Sequence, residues 1–252
     1  RNSSFLRGCV KSKTPTFYEI HNNILHHRFK LIDFFLKKML VNSAKSPYLI
    51  KFITLSDSLK KYWISKKIPK NKTITLHSGF NVSDFENTIQ KSKARSINNL
   101  PKNSKIALYT GSLSKDRKIE NILYLAKRNK DVIFIVIGGK IKEVEYYKNL
   151  SKKEKIVNIK FLGYVPHNNI PVYLYSSDVL LALWSHDVPT INYCSPLKVF
   201  EYMASQRLIL AHGFPTIKEV LIDEVNSFVV KPGNLRQLDL KFKEAINTQN
   251  EI

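Results

Sequence analysis

VIFIVIGG, residues 132–139, is six apolar residues in a row closed by two glycines, and all but Phe134 of the six are β-branched. A strand that is apolar at every position has both faces covered, which is the mark of a parallel sheet held between helices. Upstream, IALYT at 106–110 runs into Gly111, and Ile119, Ile122, Leu123, Leu125 and Ala126 fill the interval at helical spacing. Downstream, the pattern predicts a helix over 143–150, a strand over 159–162, a helix over 170–175 and a strand over 179–183. A helix over 196–205, a strand over 208–211, a helix over 217–221, a strand over 228–230 and a last helix from Leu235 follow. Such alternation with short connections reads as a complete doubly wound, Rossmann-like α/β domain over 105–252.

A shorter α/β stretch precedes it. Strands over 16–20, 52–55 and 73–76 bracket helices over 28–41 and 57–66, with Ser56 as an N-cap. Residues 81–102 are rich in Ser, Asn and Lys. The organisation expected is therefore a partial Rossmann-like domain over 1–82, a linker over 83–104 and the complete domain over 105–252. The first strand, 16–20, reads as interior to its sheet, and Arg1 is not a Met, so further sequence is expected upstream.

The chain has 252 residues, of which 43% are hydrophobic and 11% aromatic. That excludes disorder, because the apolar surface available for burial can offset the ordering entropy. Two cysteines, Cys9 and Cys194, make no disulfide scaffold, and no Cys-x-x-Cys or His-x-x-His cluster suggests a structural metal. No apolar run approaches the length of a membrane span. The 41 Lys+Arg against 20 Asp+Glu give a net charge of +21. Only 8 of the basic residues are Arg, so the excess argues against sequence-specific nucleic-acid reading, which favours bidentate arginine. Residues 1–103 hold 20 basic and 5 acidic side chains, net +15, against 21 and 15, net +6, for the rest. Lys30, Lys37, Lys38 and Lys45 line one face of the first long helix in this reading, with Phe34, Phe35 and Leu36 turned to the sheet.

Doubly wound sheets bind ligands in the loops after their strands. Four such loops carry suitable residues. Gly111 to Lys118 (GSLSKDRK) joins a glycine turn, a helix start and the cations Arg117 and Lys118, a combination that suits a diphosphate as well as a plain turn. Gly138-Gly139-Lys140 is a tight turn or a phosphate contact. Phe161 to Pro166 (FLGYVP) offers Tyr164 to a nucleobase or is surface packing. SPLKVFEYMAS, 195–205, places Pro196 at a helix start, Leu197, Phe200, Met203 and Ala204 on an apolar face, and Lys198 and Glu201 at i, i+3, a spacing that also suits a surface ion pair.

SPLKVFEYMAS, followed by IKEVL at 217–221 and VVKPG at 229–233, resembles the donor-site half of the group 1 family, glycosyltransferase family 4, of the GT-B fold. Residues 106–113, 132–139 and 161–178 resemble further segments of that half. YEIH at 18–21, residues 53–60 and KTITLHSGFN at 72–81 resemble the acceptor side and the crossover. The likeness runs over essentially the whole chain, and the resemblance implies that the N-terminal part of the acceptor domain is lacking.

The resemblance implies a retaining transferase that moves a sugar from a nucleoside-diphosphate sugar to a glycan or lipid-linked acceptor in cell-surface polysaccharide synthesis. No metal and no cofactor are implied, and no nucleic-acid partner. It gives the catalytic roles to His21, Arg117 and Lys198. Donor binding falls to Gly111, Ser112, Gly138, Tyr164, Ser195, Pro196, Leu197 and Glu201, with Glu201 on the ribose hydroxyls. Ser112 stands where the family has an arginine, so Lys118 or Lys198 is expected to replace that cation. Tyr193 stands where the family has the first of two glutamates. The resemblance further implies a cytoplasmic protein whose basic first part docks on the inner, anionic face of the membrane. A nucleotide-sugar-binding protein without turnover and a GT-B epimerase are the alternatives.

Overall fold

The computed structural model describes residues 3–25 and 28–248. They form two compact units, Arg1–Ser78 with Thr190–Ser195, and Gly79–Pro189 with Pro196–Ile252.

In the first unit α1 (Ser3–Lys11), β1 (Thr16–Ile20), α2 (Lys30–Ala44), β2 (Leu49–Thr54), α3 (Asp57–Ser65) and β3 (Thr73–Thr75) build a parallel sheet in the order β1-β2-β3. The core forms around Phe52 and Trp63, whose rings meet edge to face at 6.0 Å, with Tyr18, Leu40 and Leu59 buried beside them. Ser56 caps α3 as expected, its Oγ accepting the Leu59 N–H at 3.1 Å.

Three expectations change here. Among the described residues β1 is an edge strand rather than an interior one, and Phe17 and Glu19 lie outside the core while Tyr18 and Ile20 lie within it. Phe34 and Phe35 do not face the sheet: they are 60% and 58% exposed, because α2 is buried only through Leu40, Ser43 and Ala44 in its last turns. Finally, residues 190–195 pack with this unit. The Tyr193 ring meets Tyr62 at 5.4 Å, its carbonyl accepts the Ser56 hydroxyl at 2.8 Å, and the Ser195 hydroxyl accepts the Ser78 N–H at 2.9 Å.

The second unit runs α4 (Lys91–Ile97), β4 (Lys105–Thr110), α5 (Glu120–Arg128), β5 (Val132–Ile137), α6 (Ile141–Lys153), β6 (Ile159–Gly163), α7 (Ile170–Ser176), β7 (Val179–Ala182), α8 (Leu197–Ala204), β8 (Leu208–His212), β9 (Phe228–Val230) and α9 (Leu235–Asn247). Its six strands are all parallel, in the order β6-β5-β4-β7-β8-β9. From β4 the chain lays strands to one side and then, from β7, to the other, so the switch point lies between β4 and β7. Phe134 stacks on Phe242 at 5.3 Å in the core between β5 and α9.

The stretch read as a linker, 83–104, is folded into this unit through α4. Arg95 is 3% exposed and donates to the carbonyls of Ser176 and Lys102 and, at 2.6 Å, to Asp178. Asp178 also accepts the Ile106 N–H at 2.7 Å, which ties α4 to the start of β4. A polar composition concealed one buried guanidinium with a full set of partners. The helix expected over 217–221 is instead a run of turns, with the Ile217 N–H donating to the Phe214 carbonyl at 3.0 Å. No helix among the described residues is long and apolar enough to cross a membrane.

Candidate functional site

Open parallel sheets leave a crevice at the carboxyl ends of the strands where the strand order reverses. In the second unit that point is flanked by the end of β4, Tyr109 to Gly111, and by Trp184, two residues beyond β7. Lys198, in the first turn of α8, reaches into it. Its Nζ lies 4.0 Å from the centre of the Tyr109 ring and 5.1 Å from that of Trp184. A Cβ at Gly111 would stand 2.9 Å from the same nitrogen, and Gly111 has φ +138°, so only glycine leaves the ammonium its place. Lys198 forms no ion pair among the described residues. Burial, and then the positive charge of Arg117, push its pKa down from 10.5 to about 7, with Glu201 pulling the other way. The first turn of a helix adds further positive potential. Among the described residues the contacts of the Lys198 ammonium are with these two rings.

Arg117 sits at the end of a 3-10 turn, Lys115–Arg117, after the β4 loop. Its Nε is buried and has no hydrogen-bond partner. Lys118, the other candidate for the missing cation, adopts φ +52° and pairs with Asp187 at 3.1 Å. Unlike Lys118, Arg117 and Lys198 form no ion pair among the described residues. Ser112 is exposed, and its carbonyl accepts the Tyr109 hydroxyl at 2.9 Å.

The backbone frame is held from beneath. The Tyr202 hydroxyl accepts the Thr110 N–H at 2.9 Å and fixes α8 to the end of β4. Burial raises the pKa of both Tyr202 and Tyr109, so both stay neutral phenols. His212 is buried, which lowers its pKa, and its Nδ1 donates to the Trp184 carbonyl at 2.6 Å. Gly138 serves the frame as well: a Cβ there would lie 2.2 Å from the Gly111 carbonyl oxygen.

Glu201 is one turn along α8 from Lys198. The two do not pair. Glu201 instead accepts from His167 Nε2 at 3.0 Å. The face of α8 that enters the core is Val199 and Tyr202, not Leu197, Phe200, Met203 and Ala204, because Tyr202 is the side chain that reaches β4. Leu197 and Met203 are exposed, and Tyr164, at the end of β6, is 81% exposed.

Of the residues singled out in the sequence, Gly111, Ser112, Arg117, Gly138, Tyr164, Pro196, Leu197, Lys198 and Glu201 belong to the second unit, and His21 and Ser195 to the first. His21 stands just past β1, its Nε2 against Glu19 Oε1 at 2.5 Å. Tyr109, Trp184, His167 and His212 were missed. Trp184 carried a usable signal, since it directly follows the strand expected over 179–183, whereas Tyr109 inside IALYT is indistinguishable from core.

The family profile of the group 1 glycosyl transferases matches residues 90–251. The chain belongs to the group 1 glycosyltransferase family. Among solved structures it is similar to Alr3699/HepE of Anabaena in complex with UDP, with a TM-score of 0.78 and 18% identity over 99% of this chain and 67% of that one. Sucrose-phosphate synthase from Thermosynechococcus elongatus gives a TM-score of 0.70 and 17% identity over 90% and 57% of the two chains. The lipopolysaccharide outer core galactosyltransferase WaaB gives 0.64 and 11% over 96% and 69%. These likenesses establish the GT-B glycosyltransferase fold, and the chain spans 57% to 69% of these three structures' lengths. No curated protein matches the sequence.

Proposed function

We propose that this glycosyltransferase moves a sugar from a nucleoside-diphosphate sugar to a hydroxyl of a glycan or lipid-linked acceptor, with retention of anomeric configuration. The observation that carries the reading is the pair of cations that form no ion pair among the described residues, Arg117 and Lys198, at the β4/β7 switch point of a unit whose family is established. In the transfer the bond from the anomeric carbon to the diphosphate oxygen breaks, the bond to the acceptor oxygen forms, and the acceptor's proton leaves with the diphosphate. Negative charge develops on the leaving oxygen, where fixed cations in a poorly hydrated site stabilise the transition state more than the ground state. Arg117 and Lys198 take that role, and no metal or cofactor is required. Glu201 accepts from the ribose hydroxyls, and the glycine turn at Gly111 admits the diphosphate.

The HepE structures hold UDP and UDP-glucose, which supports a nucleotide-sugar donor here. The cellular setting proposed is cell-surface glycan synthesis in the cytoplasm, on the inner face of the membrane. The first unit supports this with Phe29, Leu31, Ile32, Phe34 and Phe35 exposed amid an excess of lysine. Basic side chains contribute about 1 kcal/mol each at an anionic surface.

A thermal-shift panel of UDP-, GDP- and ADP-sugars tests the donor assignment. One nucleotide class raises the melting temperature and Glu201→Ala removes the shift; a flat panel overturns the assignment. One observation favours binding without turnover: Tyr193, in place of a carboxylate, is spent on packing against Tyr62. Release of nucleoside diphosphate from the stabilising sugar nucleotide in the presence of acceptor separates the two readings.

A further inference from the structure

Glu201 does not present a free carboxylate. Its side chain is 14% exposed, Oε1 accepts from His167 Nε2 at 3.0 Å, and no other donor reaches it among the described residues. His167 opens the 3-10 turn His167–Asn169 after β6 and is 67% exposed, so its ring covers the carboxylate from the solvent side. Behind it stands a second carboxylate. Asp84 Oδ2 lies 3.8 Å from His167 Nδ1, and Asp84 Oδ1 accepts from Asn81 Nδ2 at 3.2 Å. The imidazole thus bonds Glu201 through Nε2 and has Asp84 near Nδ1, beyond hydrogen-bonding distance, three side chains from separate segments of the second unit.

We propose that His167 is a positioning residue for the donor nucleotide: with Asp84 behind it, it fixes one oxygen of Glu201 and leaves the other to the ribose hydroxyls. This rests on the assignment of Glu201 to the ribose made above. A glutamate free to turn loses rotamer freedom when it accepts from a ligand, whereas one already held by a histidine does not. The arrangement therefore acts on the affinity for ribose and not on the diphosphate. No clash or core contact is lost when the exposed ring is removed, which makes the role separable from folding.

The test is a cycle of variants and ligands, using calorimetric titration of the whole chain with UDP and with 2′,3′-dideoxy-UDP. Wild type prefers UDP. His167→Ala weakens UDP about three- to tenfold, the fold-change expected from freeing one rotamer-rich side chain, and leaves dideoxy-UDP unchanged. His167→Gln, which keeps an N–H donor, restores most of the loss. If His167→Ala binds UDP like wild type while Glu201→Ala loses the preference, the proposal fails and the ribose assignment survives. Equal weakening of both ligands by His167→Ala marks a structural role and overturns the proposal as well. If Glu201→Ala binds UDP like wild type, the ribose assignment itself fails and takes the proposal with it.

Discussion

Replacing Lys198 by methionine removes a cation that the fold holds at a cost, and the consequences for stability and for binding run in opposite directions. A free lysine titrates near 10.4, and in the fold burial brings Lys198 down to about 7. Below pH 7 the ammonium is charged in both the native and the unfolded chain, and the native state bears the full desolvation penalty. Between pH 7 and about 10 the unfolded chain holds a proton that the native state lacks, so stability rises with pH through that window, by on the order of 1 kcal/mol per pH unit. Lys198→Met flattens this dependence and raises the melting temperature at pH 6. A diphosphate favours the charged form, so binding above pH 7 must draw in a proton. With a free-state pKa of about 7, ten sites in eleven are neutral at pH 8 and binding takes up about 0.9 proton; at pH 6 it takes up about 0.1. Affinity for the diphosphate then falls by up to about tenfold per pH unit above 7. In the methionine variant the uptake disappears and affinity at pH 6 drops by about 10- to 150-fold, the worth of one hydrogen bond to a charged group, about 1.5–3 kcal/mol. The assay is titration calorimetry with the nucleoside diphosphate in buffers of different ionisation enthalpy, the variant serving as blank for the nucleotide's own protons. Equal proton uptake by both proteins at pH 8, or an unchanged affinity in Lys198→Met, refutes the placement of the diphosphate on this lysine.

Tyr202→Phe leaves the buried Thr110 N–H without its acceptor, which costs about 1–3 kcal/mol and lowers the melting temperature by several degrees in a calorimetric scan. Arg95→Ala removes a buried guanidinium from Asp178, which keeps Lys91 at 3.0 Å and the Ile106 N–H, so urea unfolding of the whole chain should show a loss of about 1–3 kcal/mol. The double substitution Phe34→Ser with Phe35→Ser should weaken flotation with phosphatidylglycerol vesicles while leaving nucleotide affinity unchanged, and raised salt should weaken the wild type likewise. Binding to neutral vesicles as strong as to anionic ones contradicts the docking surface.

The second sheet was legible because its strands are apolar on both faces, as VIFIVI is, and that pattern has few other solutions. Polar helices were not. Ser3–Lys11 buries Leu6 and otherwise leans on α2, and Lys91–Ile97 reads as linker because its stability comes from one arginine whose partners, Ser176 and Asp178, are remote in sequence. Phe34 and Phe35 misled in the opposite sense, since two adjacent aromatics suggest a core and these are exposed. In the site, the motif located Lys198 and Glu201 but implied nothing of their partners. Tyr109, Trp184 and His167 come from other strand ends, and only the β4/β7 reversal brings the first two to Lys198. Periodicity within one helix cannot reveal a cage built from three elements.

A crystal structure of the chain with bound nucleoside-diphosphate sugar decides where the diphosphate sits. The diphosphate is expected within hydrogen-bonding distance of Lys198 Nζ and the Arg117 guanidinium, above the Gly111 turn, with the ribose on Glu201. A nucleotide bound away from the carboxyl ends of β4 and β7, or a diphosphate that touches neither cation, contradicts this placement.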